Sequence, residues 1–348
     1  MHLIIILLLV AVYLFIKTYN KGIYVQLSKK EFFYISSILI LSIGLRGDGV
    51  DNDYSTYVAS INRFLAISEP TFLLIAAFIR LTDISVVLLF LIYAFIGVSC
   101  KMRVIHRVSS LPCVSLIIYL SNIILLQDIN QIRAGAATAF FLLSIPYLAQ
   151  RKLRKFSFCI LVASLFHFSS LLYFILLFVD DKELTYRKYI FWALLPIVGY
   201  AFYFVFDQSI IEMIPISVIR NKLLMYKKLQ TYGVDGFAQI NLFNPYFLFK
   251  LVIYYFLLEY YNILKDRNKD FTLYLKIFGI SLFIFPALGA ITPILGYRSS
   301  DLFACMEILL FPFMFTLFKG EKVQVFCLAC YFVLLFSINI FYKHLIYI

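Results

Sequence analysis

Apolar runs are the feature that most constrains how this chain can fold. They recur along almost all of its 348 residues, and several approach the roughly 20 residues that an α-helix needs to cross a bilayer. Apolar residues make up 63% of the chain, charged residues 14%, and the mean hydropathy is +0.92. A soluble domain could not carry this much apolar surface. The sequence therefore predicts an all-α polytopic membrane protein.

The runs suggest about 10–12 transmembrane helices. No Gly/Ser-rich or Pro-rich linker separates them, which favours a single integral membrane domain over residues 1–348. Thr71–Ile79 is shorter and predicts a half-helix at the membrane surface. The candidate spans are 2–16, 31–45, 83–100, 111–126, 133–149, 156–178, 188–206, 245–264, 271–292, 301–318 and 322–342.

Basic clusters between the runs set the expected orientation, because short loops rich in Lys and Arg remain in the cytoplasm. The clusters are Lys17–Lys30, Lys101–Arg107, Arg151–Lys155, Lys265–Lys269 and Lys319–Lys322. With these inside, the external face receives the segments 46–70, 127–133 and 293–300.

The spans between Lys155 and Lys265 are odd in number, so one of them should not cross simply. The favoured exception is 156–178, a broken or re-entrant element with Phe166–Ser170 in its middle. The alternative is a half-membrane element at 188–206. Either choice predicts that residues 207–244, which include Arg220, form a long external loop. This loop is either a lid over a headgroup or simply a solvated loop.

Three arginines, Arg46, Arg133 and Arg298, lie on the predicted external face and on separate spans. Basic residues are depleted on that face, and a charge at the end of a membrane helix costs free energy unless it is paired or hydrated. One bound anion explains all three. Pyrophosphate suits them, because an arginine fork donates two parallel hydrogen bonds to a phosphate and stays charged.

Other polar residues accompany these arginines. Gln131 lies beside Arg133. Tyr54 and Tyr297 are close enough in the sequence to the charged sites to suggest that their rings stack on sugars. His167, in an apolar run, fits either a satisfied core residue or a proton acceptor, since its pKa is ordinarily near neutrality. Asp51 is the second candidate acceptor.

Metal and nucleic-acid functions are disfavoured. Asp51-Asn52-Asp53 matches Asp-x-Asp, but three letters are a weak signal for a divalent metal, and Cys327-x-x-Cys330 has no second pair. The net charge of +12 comes from clusters between apolar runs, where it sets topology. We expect no metal, no cofactor and no nucleic-acid partner.

Short motifs are spaced along the chain from about residue 40 to 310. They are Arg46 with Gly49-x-Asp51 and Tyr54, Glu69-Pro70, Asn130-Gln131-x-Arg133 with Ala136-Ala137, Ala163-x-x-Phe166-His167-x-Ser169, and Arg298. In their order and their placement at span ends they resemble the EpsG-like group of Wzy-type polymerases of bacterial surface polysaccharides. One departure is the crowding of Asp48, Asp51 and Asp53, which leaves open which aspartate matches the family pattern.

The resemblance implies a polymerase of O-antigen, capsule or exopolysaccharide in the bacterial cytoplasmic (inner) membrane. Such enzymes resemble the C-type glycosyltransferases and join undecaprenyl-pyrophosphate-linked repeat units en bloc on the periplasmic or outer side. A chain-length regulator is an expected partner beside the lipid bilayer.

The expected reaction is attack by an acceptor hydroxyl on the anomeric carbon of the donor. Fixed cations would stabilise the departing pyrophosphate without a metal. Arg133 and Arg298 are assigned to the pyrophosphate, with Arg46 assisting or holding Asp51. Asp51 is slightly favoured as the base, and His167 is the alternative base or a sugar-orienting residue.

Three other functions remain open. A flippase or exporter of lipid-linked glycans would share the arginines but usually shows paired repeats, which are not evident here. A secondary transporter of a small anion would place its charges nearer mid-membrane. A glycan ligase has the same sequence signature as a polymerase.

Overall fold

The computed structural model describes residues 2–63, 69–205, 211, 215, 217–232 and 241–347. Its regular structure in these ranges is helical, and an isolated bridge joins Asp51 to Ile346. Seven helices in the described ranges are long and apolar enough to cross a membrane. The all-α polytopic class is therefore confirmed. The seven are His2–Lys21, Val87–Val108, Pro112–Asn130, Ile132–Ala149, Tyr186–Val205, Phe271–Gly289 and Glu321–Tyr342.

The chain divides into two compact units, Met1–Leu177 with Glu307–Ile348, and Phe178–Met306. The first unit holds most of the helices. They are α1 His2–Lys21, α2 Lys29–Gly44, α3 Tyr54–Arg63, α4 Pro70–Thr82, α5 Val87–Val108, α6 Pro112–Ile118, the π-helix π1 Tyr119–Asn130, α7 Ile132–Ala149, α8 Leu153–Phe166 and the 3₁₀-helix Phe168–Phe178.

The predicted half-helix is confirmed as a helix in α4, and its position at the membrane surface stays a prediction. The predicted span 301–318 is not one continuous helix. It is divided among short helices, one of which begins at Pro312. The remaining helices of the first unit are α15 Glu307–Leu310, α16 Pro312–Phe315, α17 Glu321–Ser337 and the π-helix π2 Ile338–Tyr342.

Three basic clusters lie at one end of the first unit. The backbone at Gly22, after α1, approaches the carboxylate of Glu321 at the start of α17. At the start of α2, the ring of Phe32 packs 4.6 Å from that of His106 near the end of α5. The clusters around residues 17–30, 101–107 and 319–322 therefore share one end, as a common cytoplasmic location requires.

Helix π1 is fully buried although it carries Gln127, Asp128 and Asn130. The predicted external loop at 127–133 is thus mostly a buried helix end. The Asp128 carboxylate accepts hydrogen bonds from Lys101 (2.7 Å) and from the Tyr119 hydroxyl (2.8 Å), and Lys101 also donates to the carbonyl of residue 135. A buried ion pair needs such extra bonds to offset its desolvation.

Helix α8 ends at His167, inside the predicted span 156–178. The chain continues as a 3₁₀-helix, whose residues Ser170, Tyr173 and Leu176 form a buried face with a period of three. The Tyr173 ring stacks on Phe141, with centroids 3.8 Å apart. Phe141 lies about 13.5 Å along α7 from its start, so the segment runs back along α7. This geometry agrees with a broken, returning element.

Residues 344–347, which follow π2, pack against the loop between α2 and α3. Asn52 donates to the carbonyl of His344 (2.9 Å), and the Tyr347 N–H donates to the carbonyl of Val50 (3.0 Å). The Asn130 amide donates to the carbonyl of Leu345 (2.7 Å). These bonds tie the loop to π1.

The second unit is built around α13, which packs on α9 and α14. A Cβ at Gly199 would lie 2.6 Å from the carbonyl of Phe283, so α9 and α13 approach closely there. The helices are α9 Tyr186–Val205, α10 Ser217–Thr231, α11 Pro245–Glu259, α12 Tyr261–Lys265, α13 Phe271–Gly289 and α14 Pro293–Ala304.

The predicted loop 207–244 contains α10, and its positions 207–210, 212–214, 216 and 233–240 lie outside the described residues. The same holds for positions 64–68 of the predicted external segment 46–70. Both external locations stay predictions, as does the single domain over 1–348.

Candidate functional site

Three charged or titratable side chains meet at the ends of separate helices of the first unit. Glu69 Oε2 accepts a hydrogen bond from Arg133 Nη1 at 2.6 Å, and Glu69 Oε1 lies 3.4 Å from His167 Nδ1. We call this group the Glu69 cluster. The sequence named Arg133 and His167 as site residues, and the structure brings them to one carboxylate.

Local sequence explains each position in the cluster. Pro70 occupies the first turn of α4, where its missing N–H costs nothing, and Glu69 is the preceding cap residue. Gln131 interrupts the helical path between π1 and α7, which places Arg133 in the first turn of α7. His167 adopts an extended conformation (φ −154°, ψ 112°) at the end of α8.

A hydrophobic core lies around the cluster and fixes these helix ends. It is formed by α3, α4, α5, α7 and α8. The Thr71 hydroxyl donates to the carbonyl of Leu165 (2.8 Å), which joins the start of α4 to the end of α8. The core side chains are Tyr57, Ile61, Phe72, Ala76, Ile79, Leu89, Phe90, Tyr93, Ile132, Ala136, Ala137, Ala163 and Phe166.

Glu69 lies before α4, outside the spanning helices, and it is held as a carboxylate. Burial raises its pKa, but the close contact with His167 and the nearby charge of Arg133 outweigh burial and lower the pKa to about 2. The cluster therefore keeps a negative charge between two basic groups at neutral pH.

Two side chains of the cluster are partly exposed and can contact a ligand. The Arg133 side chain is 18% exposed and that of His167 is 12% exposed, whereas Glu69 is 4% exposed. Arg133 Nε has no hydrogen-bond partner among the described residues. Because Nδ1 of His167 faces the carboxylate, Nε2 is directed away from it. The guanidinium of Arg133 and the imidazole of His167, both partly exposed, thus lie together at one place.

Arg46 and Asp51 form a closed pair rather than an open site. Arg46 Nε donates to Asp51 Oδ2 (2.6 Å), while its two Nη groups donate to the carbonyls of Ile43 and Ile129. The other Asp51 oxygen accepts from the Asp53 N–H, and both side chains are almost fully buried. This geometry favours the predicted holding role of Arg46. That Asp51 is the base stays a prediction.

Tyr54 lines an open cavity of about 520 Å³ beside the same loop. Its ring stacks on Phe90, with centroids 4.4 Å apart. Tyr57, one turn further along α3, is packed instead under the Arg133 guanidinium, 5.7 Å from ring centroid to Cζ. Helix α3 therefore runs from the cavity to the Glu69 cluster.

The remaining predicted residues, Arg298, Tyr297 and Arg220, belong to the second unit. Arg298 lies in α14 and is half-buried, and no ion pair to it is found within the described ranges. Tyr297 makes an edge contact with Phe285 at 4.9 Å. Arg220 lies in the first turn of α10. Their roles stay predictions.

The described residues contain no group of side chains that is suited to bind a metal ion. No three His, Cys, Asp or Glu side chains among the described residues are grouped closely enough to hold an ion. Asp51, the first aspartate of the Asp-x-Asp match, forms an ion pair with Arg46.

Sequence reasoning gave no role to Glu69, which joins the cluster, or to the buried pair of Lys101 and Asp128. The signal for Glu69 was an acidic residue directly before a proline and an apolar run, a typical helix start. The signal for the pair was a lysine and an aspartate in apolar surroundings, where a charge demands a partner.

Comparison with family models gives one match that covers nearly the whole chain. The model described as "EpsG family" matches residues 29–347. Comparison with curated proteins found no significant match, and comparison with solved structures found none. The matched range contains both the Glu69 cluster and the Arg46–Asp51 pair. The chain belongs to the EpsG family, whose members are Wzy-like polymerases of polysaccharide biosynthesis.

Proposed function

We propose that this membrane protein joins undecaprenyl-pyrophosphate-linked oligosaccharide repeat units en bloc at the outer face of the bacterial cytoplasmic membrane. Family membership supports a polysaccharide polymerase. The observation that carries the proposal is the Glu69 cluster, which combines a partly exposed cation with an imidazole that lies against a carboxylate. A polymerase needs both, one for the leaving pyrophosphate and one for the attacking hydroxyl.

In this mechanism the acceptor hydroxyl oxygen bonds to the anomeric carbon of the donor, and the bond from that carbon to the lipid pyrophosphate oxygen breaks. His167 Nε2 takes the hydroxyl proton. Glu69 orients the imidazole through Nδ1 and stabilises the imidazolium that forms, as a carboxylate does beside other catalytic histidines.

Arg133 stabilises the negative charge that develops on the departing pyrophosphate. Its Nη1 is held by Glu69, which fixes the plane of the guanidinium before the substrate arrives. Preorganised donors of this kind lower the barrier without reorganisation during the reaction. The proposal therefore needs no metal ion at the pyrophosphate.

The other predicted residues take supporting roles in the proposal. Arg298 and Arg220 contact pyrophosphate or headgroup, Tyr297 and Tyr54 contact sugar, and Gln131 hydrogen-bonds the substrate beside Arg133. Asp51 is the alternative base, and a chain-length regulator is a candidate partner.

The test is a deletion strain complemented with variants and analysed by gel for surface glycan. Arg133→Ala and His167→Gln should each reduce long chains by about two orders of magnitude or more, leaving single-repeat glycan. Arg154→Ala removes an exposed arginine at the start of α8 and should leave the ladder unchanged. Immunoblots of membranes must show equal protein in all strains.

Other outcomes separate the rival functions. Lipid-linked units trapped inside the cell, with no surface glycan, would indicate a flippase. Long glycan that stays on the lipid carrier would indicate a ligase. A normal ladder in the Arg133→Ala strain would contradict the proposed pyrophosphate contact.

Asp51→Asn decides between the two candidate bases. If Asp51 holds Arg46, the variant loses thermal stability, and purified protein that remains folded keeps its activity. If Asp51 is the base, folded protein is inactive and the His167→Gln protein is active.

A further inference from the structure

The cavity beside Tyr54 has the features of a carbohydrate site. Its volume of about 520 Å³ falls within the range of small-molecule pockets. Its lining combines the Asp48 carboxylate, the hydroxyls of Ser55 and Ser85, and apolar surface from Tyr54, Val58 and Val86. Carboxylates and hydroxyls bind sugar hydroxyls, and apolar surface binds the faces of the ring.

The charge of the cavity argues against a pyrophosphate. The residues that line it include a carboxylate, and the described part of that lining holds no lysine or arginine. Arg46 lies behind Tyr54, but its donors are committed to Asp51 and two carbonyls. A phosphate anion would be repelled by Asp48, whereas a sugar would be bound by it.

The position of the cavity relates it to the Glu69 cluster. Tyr54 lines the cavity, and Tyr57 packs under Arg133. These tyrosines are one helical turn apart on α3, about 4.5 Å along the axis. Phe90 contacts both rings. The cavity and the Glu69 cluster are therefore associated with neighbouring turns of α3.

We propose that this cavity binds the non-reducing end of the acceptor glycan, with Asp48, Ser55 and Ser85 as its hydrogen-bonding groups. The inference rests on the proposed polymerase function. It assigns the two substrates to different places: the cavity binds the sugar end of the acceptor, and the Glu69 cluster binds the pyrophosphate of the donor.

The test uses purified full-length protein in nanodiscs and the single-repeat oligosaccharide released from the host polysaccharide. Wild type should bind it in a titration. Ala59→Phe, which fills the cavity, should weaken binding at least tenfold, and Asp48→Asn, at an exposed position, should weaken it severalfold. Ala201→Phe, on an exposed face of α9, is the matched control and should bind as wild type does.

Two further arms separate this inference from the proposed function. Arg133→Ala should bind the oligosaccharide normally but fail to polymerise; if it polymerises, the donor assignment fails while the cavity assignment stands. Farnesyl pyrophosphate should not displace the oligosaccharide. Displacement, absence of binding by wild type, or normal binding by both Ala59→Phe and Asp48→Asn would overturn the acceptor site.

Discussion

Glu69 is the residue on which the charged site depends. Its two oxygens face different basic groups, so replacing it would release Arg133 and remove the orienting contact of His167 at once. Removing one partner from a buried charged group usually costs more than the interaction itself contributes. Glu69 is therefore both a positioning residue and a source of stability.

The low pKa of Glu69 predicts an acid-dependent loss of stability. Because the folded pKa, about 2, lies below the ordinary value of 4.5, the stabilisation is present above pH 4.5 and is lost as the pH falls toward 2. A shift of this size corresponds to about 3 kcal/mol. Denaturation of purified protein at pH 7 and pH 3 should show a larger loss for wild type than for Glu69→Gln. Equal losses would contradict the assignment.

Close helix contacts explain how the buried pair of Lys101 and Asp128 is accommodated. A Cβ at Gly97 of α5 would lie 2.4 Å from Asp128 Oδ1, and one at Gly135 of α7 would lie 2.6 Å from the carbonyl of Gln127. The two glycines let α5 and α7 approach π1, which brings lysine and aspartate within hydrogen-bond distance.

Gly97→Ala should therefore destabilise the protein by about 1–3 kcal/mol, because the added methyl displaces Asp128 from Lys101. Gly47→Ala is the control, since a Cβ there meets nothing within 4 Å. Thermal unfolding in one detergent compares the two variants. If both unfold at the same temperature, the glycine at 97 is not required by packing.

The sequence predicted the helices of this protein better than their irregular parts. Apolar runs located α1, α5, α7 and α13, because a span must satisfy its backbone internally. The break at His167 was also predicted. The π-helical form of π1 was not, because it depends on partners distant in sequence: Asn122 is bound to Glu307, and Asn130 to Leu345.

The candidate site was predicted as a set of separate residues. Arg133 and His167 were predicted as site residues from their unusual positions. Glu69 was noted only within a motif that resembles the family and was given no role, since an acidic residue before a proline is common at helix starts. Asp51 was predicted either as the base or as a residue held by Arg46, and the structure buries it against Arg46. Spacing alone did not decide between these roles, because a contact five residues apart depends on how the loop folds.

At the scale of the whole molecule, the first unit is closed by contacts between its earliest and latest segments. Residues 344–347 pair with the loop after α2 through backbone groups. The same loop carries Asp51 and lines the cavity through Asp48. The position of the loop therefore depends on this distant segment.

Tyr347→Pro should test that dependence, because proline cannot donate the hydrogen bond that the carbonyl of Val50 accepts. We expect a loss of about 1 kcal/mol in stability and shorter surface glycans. Tyr347→Ala keeps the N–H and removes only a half-exposed ring, so it should resemble wild type. Similar stability and glycan length in both variants would show that the pairing does not position the loop.

The pairing of residues 344–347 with the loop after α2 also determines when this part of the fold can form during synthesis. Asn52 is separated from its partner His344 by 292 positions, so a ribosome completes nearly all the helices of this protein between the two. Contacts so distant in sequence form late, because the intervening chain must be placed first. The loop after α2 and the cavity beside it are thus completed only after the last of the described helices has been made, and under the proposed function a shorter polypeptide would not bind an acceptor.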